Sequence, residues 1–478
     1  MIKRYILPLL LVCILGCKAE QETTPSTVLK GAKVYLGNGG EIENSVIIID
    51  NGIITTIGGK DTPIPDYADI IDVTGKYITP GLVDAHVHFS QTGYFDGRPG
   101  VLDIRDSIDF EEVQERQRNN PERYFEAYLR SGVTAVYDVG GFTWSLALQE
   151  SVRNNPNAPH VAATGLLLTP PSDRKTTYSR TSTDSQFVSI TSAEVGTKAV
   201  ILNDSLGATG IKIHEIYLDD TVFMKSMIAV KNKIEERGNK MIVDAIPLEQ
   251  AKQALRFGAK MLVHSVDDQP IDEEFIRMAK ALDIIYCPTV IVVEGYLNSF
   301  KSLNGEFVIN DPNIVIDEGT KNLLKSSTRF FQYFPAKDDK VAALESFIDG
   351  FEKMTTDREK MVLENLKRVY DQGITIALGT DAGNPGTLHG ISVYDEMEAM
   401  QRAGIPGKEI IQMATKNGAL AMERANDFGT LENGKMADLI ILSDDPSTDI
   451  SNMRTITHVM KGGLLRPVNK PFEKVVHN

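Results

Sequence analysis

Asp84-Ala85-His86-Val87-His88 sets two imidazoles two residues apart. Residues i and i+2 of a strand share a face, so both rings can point the same way, as a metal-binding pair or as two hydrogen-bonded histidines. Gly210-Ile211-Lys212-Ile213-His214 alternates in the same manner, with Lys212 and His214 on one face and the isoleucines on the other. A lysine inside a protein is costly unless paired, and burial lowers its pKa. Lys212 is therefore either a salt-bridge partner or an amine put to chemical use. His264 ends the apolar run from Met261, and Asp381 follows Gly379-Thr380 at the end of another. Imidazole and carboxylate are ligands of Zn²⁺ and its neighbours. A bound ion lowers the pKa of water toward ~7 and polarises a carbonyl, so hydroxide attack on an amide becomes feasible at neutral pH.

These residues need a scaffold that brings strand ends together. Short apolar strands alternate with helical segments, which predicts a parallel sheet with crossovers. The strand candidates are Leu82 to His86, Thr134 to Asp138, Val161 to Leu167, Gly210 to Ile213, Met241 to Ala245, Met261 to His264, Ile284 to Ile291 and Ile374 to Gly379. Such units over about 350 residues fit a (β/α)8 TIM barrel with insertions, whose active face lies at the strand ends. A doubly wound sheet competes, but no GxGxxG follows any strand. The α/β barrel is expected to span 78–425, with a helical insertion at 294–372 that forms a lid or a subunit contact; the latter is compatible with a homo-oligomer. The segment Gly407 to Arg424 reads as one packed helix.

The flanking regions are β-rich. Ser45 to Asp50, the Asn51-Gly52 turn and Ile53 to Ile57 form a hairpin signature. With Val28 to Leu36 and Ile70 to Val73 they make an N-terminal unit over 28–77. Ala437 to Leu442 and Ile456 to Lys461 belong to a C-terminal unit over 426–478. Neither has enough strands to bury a core alone, so the two ends are expected to meet in one small β-sandwich into which the barrel is inserted.

The start of the chain carries two basic residues and an apolar run, Tyr5 to Leu15, too short to span a bilayer. It reads as a signal peptide at 1–16. Ile14-Leu15-Gly16-Cys17 resembles a bacterial lipobox, which implies lipidation at Cys17, a polar tether at 17–27, and an exported lipoprotein held to the membrane by its anchor, facing the periplasm or the cell surface. The 478 residues are 42% hydrophobic and 24% charged, an ordinary globular composition. With 50 basic against 65 acidic residues the net charge is −15, which argues against nucleic acid as a partner.

Taken together, Asp84 to His88, the Lys212 strand, His264-Ser265, Gly379-Thr380-Asp381-Ala382-Gly383 and the tail Gly429 to Leu439 resemble the amidohydrolase superfamily, most closely its imidazolonepropionase-like and prolidase-like branch. The resemblance covers nearly all of the chain after the leader. It implies that His86, His88 and Asp381 hold one divalent ion. It also implies that Lys212, carboxylated by CO₂, bridges to a second ion that takes His264; Zn²⁺ suits these ligands, with Mn, Fe or Co as alternatives. The family's usual histidine at the end of strand five is replaced here by Asp244. Asp244 could ligate through oxygen, His214 could take the vacant position, or a single ion could bind.

Asp381 beside the metal is the candidate proton shuttle to the leaving nitrogen. Tyr217 could polarise a substrate carbonyl or be structural. His389 could contact substrate or cap the following helix, and Arg174 and Arg180 could bind a carboxylate or be solvated. The expected activity is hydrolysis of a C–N bond in a small amide, such as a dipeptide, an N-acyl amino acid or a cyclic amide. Lactone or phosphoester hydrolysis at the same site, or a degenerate barrel that binds a ligand without turnover, are the alternatives. Retention of His86, His88, Lys212, His264 and Asp381 favours an enzyme.

Overall fold

The computed structural model describes residues 25–306 and 309–472. The segment 1–16, Cys17 and most of the 17–27 tether lie outside the described residues. Among the described residues no helix is long and apolar enough to cross a membrane.

Local signals set the small domain. Val46–Asp50 and Ile53–Gly58 pair as a hairpin, and Asn51 (φ 49°) and Gly52 (φ 78°) supply the two positive φ values of a type I′ turn. The strand expected over Val28 to Leu36 is instead two, Thr27–Lys30 and Lys33–Tyr35, because Gly31 at φ 101° turns the chain from one sheet into the other. Tyr77–Pro80 pairs antiparallel with Leu439–Leu442. Both chain ends thus share one six-stranded sheet. It packs on a four-stranded sheet through Leu29, Ile47, Ile78, Leu439 and Ile441.

The barrel strands, in order, are Leu82–Val87, Val133–Asp138, His160–Ala163, Ile211–His214, Met241–Asp244, Met261–Val263, Ile285–Cys287 and Thr375–Ile376. Neighbours pair in parallel, the third strand reaching the fourth through its continuation Leu167–Thr169. The first and eighth close the ring through Ala85 N–H to Leu378 O at 2.9 Å, Asp381 N–H to His86 O at 2.7 Å and a Val87–Ala382 bridge. Val83, Ala85, Ala135, Tyr137, Ile242, Val263 and Cys287 fill the interior, and Lys212 faces it because it sits opposite Ile242.

Three elements differ from their sequence pattern. The third strand bends at Gly165 (φ 72°) and resumes as Leu167–Thr169. The seventh stops at Cys287, and Pro288 and Thr289 (φ 44°) lead into the helix Val292–Ser302. The segment Gly407 to Arg424 breaks into Gly407–Met413 and Lys416–Ala421. Its cause is competition for carbonyls: Leu378 N–H donates to Met413 O at 3.1 Å and Val83 N–H to Ala414 O at 2.7 Å, so barrel backbone takes acceptors the helix would have used.

Between the seventh and eighth strands the chain forms Val292–Ser302, Glu318–Lys325 and the 32-residue helix Lys340–Asp371. Phe300 binds these layers together, with ring centroids 5.2 Å from Phe95 and 4.7 Å from Phe347.

Candidate metal centre

Strand ends deliver the chemistry. His86 and His88 come from the first strand, Lys212 and His214 from the fourth and Asp244 from the fifth. His264 and Asp381 follow the sixth and eighth strands in left-handed backbone, at φ 69° and 61°. Non-glycine residues held there cost on the order of 1–3 kcal/mol each, and such strain gathers at functional sites. A register shift between Asp84 and Val87 breaks simple alternation. A bulge of this kind re-aims side chains: Ala85 stays in the inner core while His86 and His88 enter the site.

Asp84 consequently does not join the cluster. It is fully buried and accepts from Thr380 N–H at 2.9 Å and Thr380 Oγ1–H at 2.6 Å. It thereby ties the first strand to the turn that carries Asp381. Burial pushes its carboxyl up to about 7, against the pull of those hydrogen bonds.

Two groups of donors face each other. His86 Nε2 and His88 Nε2 lie 3.4 and 2.9 Å from Asp381 Oδ1. His264 Nε2 and His214 Nε2 lie 3.5 and 3.7 Å from Asp244 Oδ2. His264 Nε2 is also 3.9 Å from Asp381 Oδ2, which joins the groups. Ligands about 2.0–2.2 Å from a tetrahedral zinc stand roughly 3.3–3.6 Å apart, and the His86–Asp381 and His264–Asp244 separations fall in that range. Ligand atoms of His86, His264 and Asp381 all fall within 4.8 Å of one another.

The donor set has the marks of a metal site. Both ring nitrogens of His86, Asp381 Oδ1 and Asp244 Oδ1 are buried without a hydrogen bond among the described residues, and such orphans are costly unless something else satisfies them. His88 Nδ1 donates to Gly140 O at 2.6 Å, and His264 Nδ1 meets Thr289 Oγ1 at 2.6 Å. Each contact turns Nε2 toward the cluster, as outer partners of metal-ligating histidines do. Burial alone would raise the Asp381 carboxyl, yet His86, His88 and His264 hold it well below the usual carboxylate range. Asp244 is likewise held down, by His264, His214 and Lys212.

Lys212 is 1% exposed, and burial lowers its pKa despite the pull of Asp244 and Asp381. It forms no ion pair or hydrogen bond among the described residues. The salt-bridge role left open by the sequence is therefore unfilled, although Asp244 and Asp381 attract the amine from a distance.

The cluster lies at the floor of a cavity of about 690 Å³. Tyr217 lines it and is 39% exposed at the mouth. Arg180 is exposed and does not line it, and Arg174 belongs to the short helix Asp173–Tyr178. His389 does not reach the cavity. Its Nδ1 is 2.7 Å from Tyr128 Oη, its Nε2 donates to Gln91 O at 2.9 Å, and its ring stacks on Phe89. Both nitrogens are thus occupied in packing, and the helix Ser392–Arg402 begins without a cap from it.

Several wall residues were not singled out by sequence. Arg98, in the loop after the first strand, donates to Tyr296 Oη at 3.2 Å, and Tyr296 Oη–H donates to Asn384 Oδ1 at 2.6 Å. Lys175 pairs with Glu215 at 2.7 Å and Arg358 with Asp267 at 2.5 Å. Val292, Val293, Tyr296, Met354 and Arg358 show that the long insertion builds one side of the cavity. Their only signal in the sequence is position: loops after barrel strands begin on the active face.

Residues 77–254 and 351–465 match the amidohydrolase family model. The chain is 24% identical over 456 residues to an imidazolonepropionase of Geobacillus kaustophilus, covering 89% of this chain and 90% of that protein. An imidazolonepropionase of Treponema denticola is 23% identical over 438 residues, covering 88% and 91%. Among solved structures, a Xaa-Pro dipeptidase with bound methionine in its active site superposes with a TM-score of 0.68 at 23% identity, covering 92% of this chain and 100% of that one. The ochratoxinase of A. niger gives 0.64 at 20% identity, covering 92% and 95%.

Proposed function

The chain belongs to the amidohydrolase family, a family of hydrolases acting on C–N bonds, and from that premise we propose that it hydrolyses a small amide bearing a free carboxylate, of the dipeptide or N-acyl amino acid type. The observation that carries the substrate class is Arg98. Its guanidinium is half-buried in the cavity wall, with Tyr296 Oη as its hydrogen-bond partner and no carboxylate paired to it among the described residues. Lys175 and Arg358, which line the same cavity, each have an acid within 2.7 Å. Asp381 and Asp244 attract the Arg98 guanidinium only from beyond ion-pair distance, and a carboxylate on the substrate would supply the direct partner it lacks.

His86, His88 and Asp381 would hold one divalent ion; His264 and Asp244, with Lys212 as its CO₂ adduct, would hold a second. An ion there supplies Lewis acidity toward a carbonyl and acidifies water. Lys212 suits the adduct because burial disfavours its ammonium; once deprotonated, the amine would add to CO₂, forming an N–C bond and releasing a proton, and so become an oxygen donor. Asp381 takes the proton of the attacking water at a carboxylate oxygen and hands it to the leaving nitrogen. Tyr217, which lines the cavity beside Glu215, would donate its hydroxyl to a substrate oxygen.

The test is a panel of dipeptides and N-acyl amino acids, each with its carboxamide counterpart, assayed with Zn²⁺ or Mn²⁺ and after chelation. Hydrolysis of the free acids that chelation abolishes is expected. Activity indifferent to the carboxylate, or confined to lactones or phosphoesters, would overturn the substrate class.

A further inference from the structure

Lys175 stands on the short helix Asp173–Tyr178 in the loop after the third barrel strand. Its Nζ lies 2.9 Å from His214 Nδ1 and 2.7 Å from Glu215 Oε2. An ammonium carries three donors and no acceptor, so His214 Nδ1 has to accept. A neutral His214 then bears its proton on Nε2, the nitrogen 3.7 Å from Asp244 Oδ2. A protonated ring nitrogen has no lone pair to offer a cation. An imidazolium is excluded by the same contact, since Nδ1–H and the ammonium would meet donor to donor.

From this geometry we infer that Lys175 is a positioning residue that locks His214 as an Nε2–H donor beside Asp244, so that Asp244 and not His214 is the strand-five ligand of the metal centre. The inference rests on the reading of the cluster as a metal centre. Two further observations support it. Asp244 Oδ1 is buried and has no hydrogen bond among the described residues, which leaves it open to an ion. Glu215 sits at φ 67°, a strained backbone that turns its carboxylate toward Lys175, while Phe187 meets the His214 ring edge-on at 5.2 Å and fixes its plane. The chain departs from the expected histidine at this strand end, and Lys175 is what keeps the neighbouring histidine from filling the place.

Nitrogen NMR of histidine-labelled full-length protein, metal-free and zinc-loaded, reads the tautomer directly, with His214→Gln assigning the signal. His214 is expected to be protonated on Nε2 in the wild type and in Lys175→Arg, whose guanidinium also only donates. In Lys175→Met a mixture of tautomers is expected. Zinc counts per chain supply the second readout: Asp244→Ala lowers the count, whereas His214→Ala keeps it with a Kd raised about 10–100-fold, as for an outer partner. Protonation of Nδ1 in the wild type, a zinc-induced shift at His214 Nε2, or an unchanged count in Asp244→Ala would each overturn the inference. No substrate is needed, so a failure to hydrolyse dipeptides would refute the proposed activity and leave this result standing.

Discussion

Replacing Arg98 by Met removes a cavity-wall cation that has no carboxylate at ion-pair distance among the described residues while keeping the length of the side chain. Two unit charges about 4 Å apart attract by about 4 kcal/mol at an effective dielectric of 20. Arg98 is half-buried, so water screens part of this, and truncation of one partner in a comparable charge pair costs about 2–5 kcal/mol. A loss of about 3 kcal/mol in transition-state binding is expected for a substrate with a free carboxylate, which is roughly 150-fold in kcat/KM. The same substrate as its carboxamide offers no charge to Arg98 and should lose less than about threefold. The assay is the kcat/KM ratio of acid to amide in wild type and Arg98→Met, with zinc content measured alongside. A collapse of the ratio at unchanged zinc content is the expected outcome. An equal loss for acid and amide would mean that Arg98 acts through Tyr296 and Asn384 on the Asp381 turn, and would remove the basis for the substrate class.

Asp381→Asn keeps the turn but loses the proton acceptor; steady-state kinetics should show a fall of about 10²–10⁴-fold, and near-wild-type turnover would exclude the shuttle role. Gly379→Ala places a Cβ against Cys287 Sγ and 2.8 Å from His86 Cβ, so a lower zinc count at retained helical circular dichroism is expected. Asp438 joins the sandwich to the barrel by bonding to His160 at 2.7 Å, to Lys461 at 3.4 Å and to Gly462 N–H at 2.7 Å. Asp438→Asn leaves Lys461 buried without its counter-charge and should cost about 3–5 kcal/mol. Lys461 and His160 hold the Asp438 carboxyl below the ordinary range against the effect of burial. Its contribution is therefore full above about pH 4, where an unfolded aspartate is ionised, and fades as pH falls below that. Urea midpoints of the two proteins should converge in acid; a gap that widens there would contradict the assignment.

The clustering of the candidate ligands was legible because they obey short rules. His86 and His88 are two apart at a strand end, Lys212 alternates with isoleucines, and His264 and Asp381 follow apolar runs. Asp84 was not placed, since alternation puts it with His86 and His88, and only the register shift sends it to the Thr380 turn. His389 looked functional in its glycine-rich loop, but its surroundings come from Tyr128 and Phe89, distant in sequence. Arg98, Lys175 and Tyr296 carry no local pattern: a loop arginine is usually solvated, and only tertiary packing distinguishes these. The broken helix after Gly407 shows the same limit, because barrel amides compete for its carbonyls and no propensity encodes that.

Anomalous diffraction at the zinc edge from crystals of the protein grown with Zn²⁺ reaches the central claim most directly. A peak about 2.0–2.2 Å from His86 Nε2, His88 Nε2 and an Asp381 oxygen is the predicted result. A fully occupied crystal with no peak inside the barrel mouth, or with zinc bound only elsewhere, would contradict it.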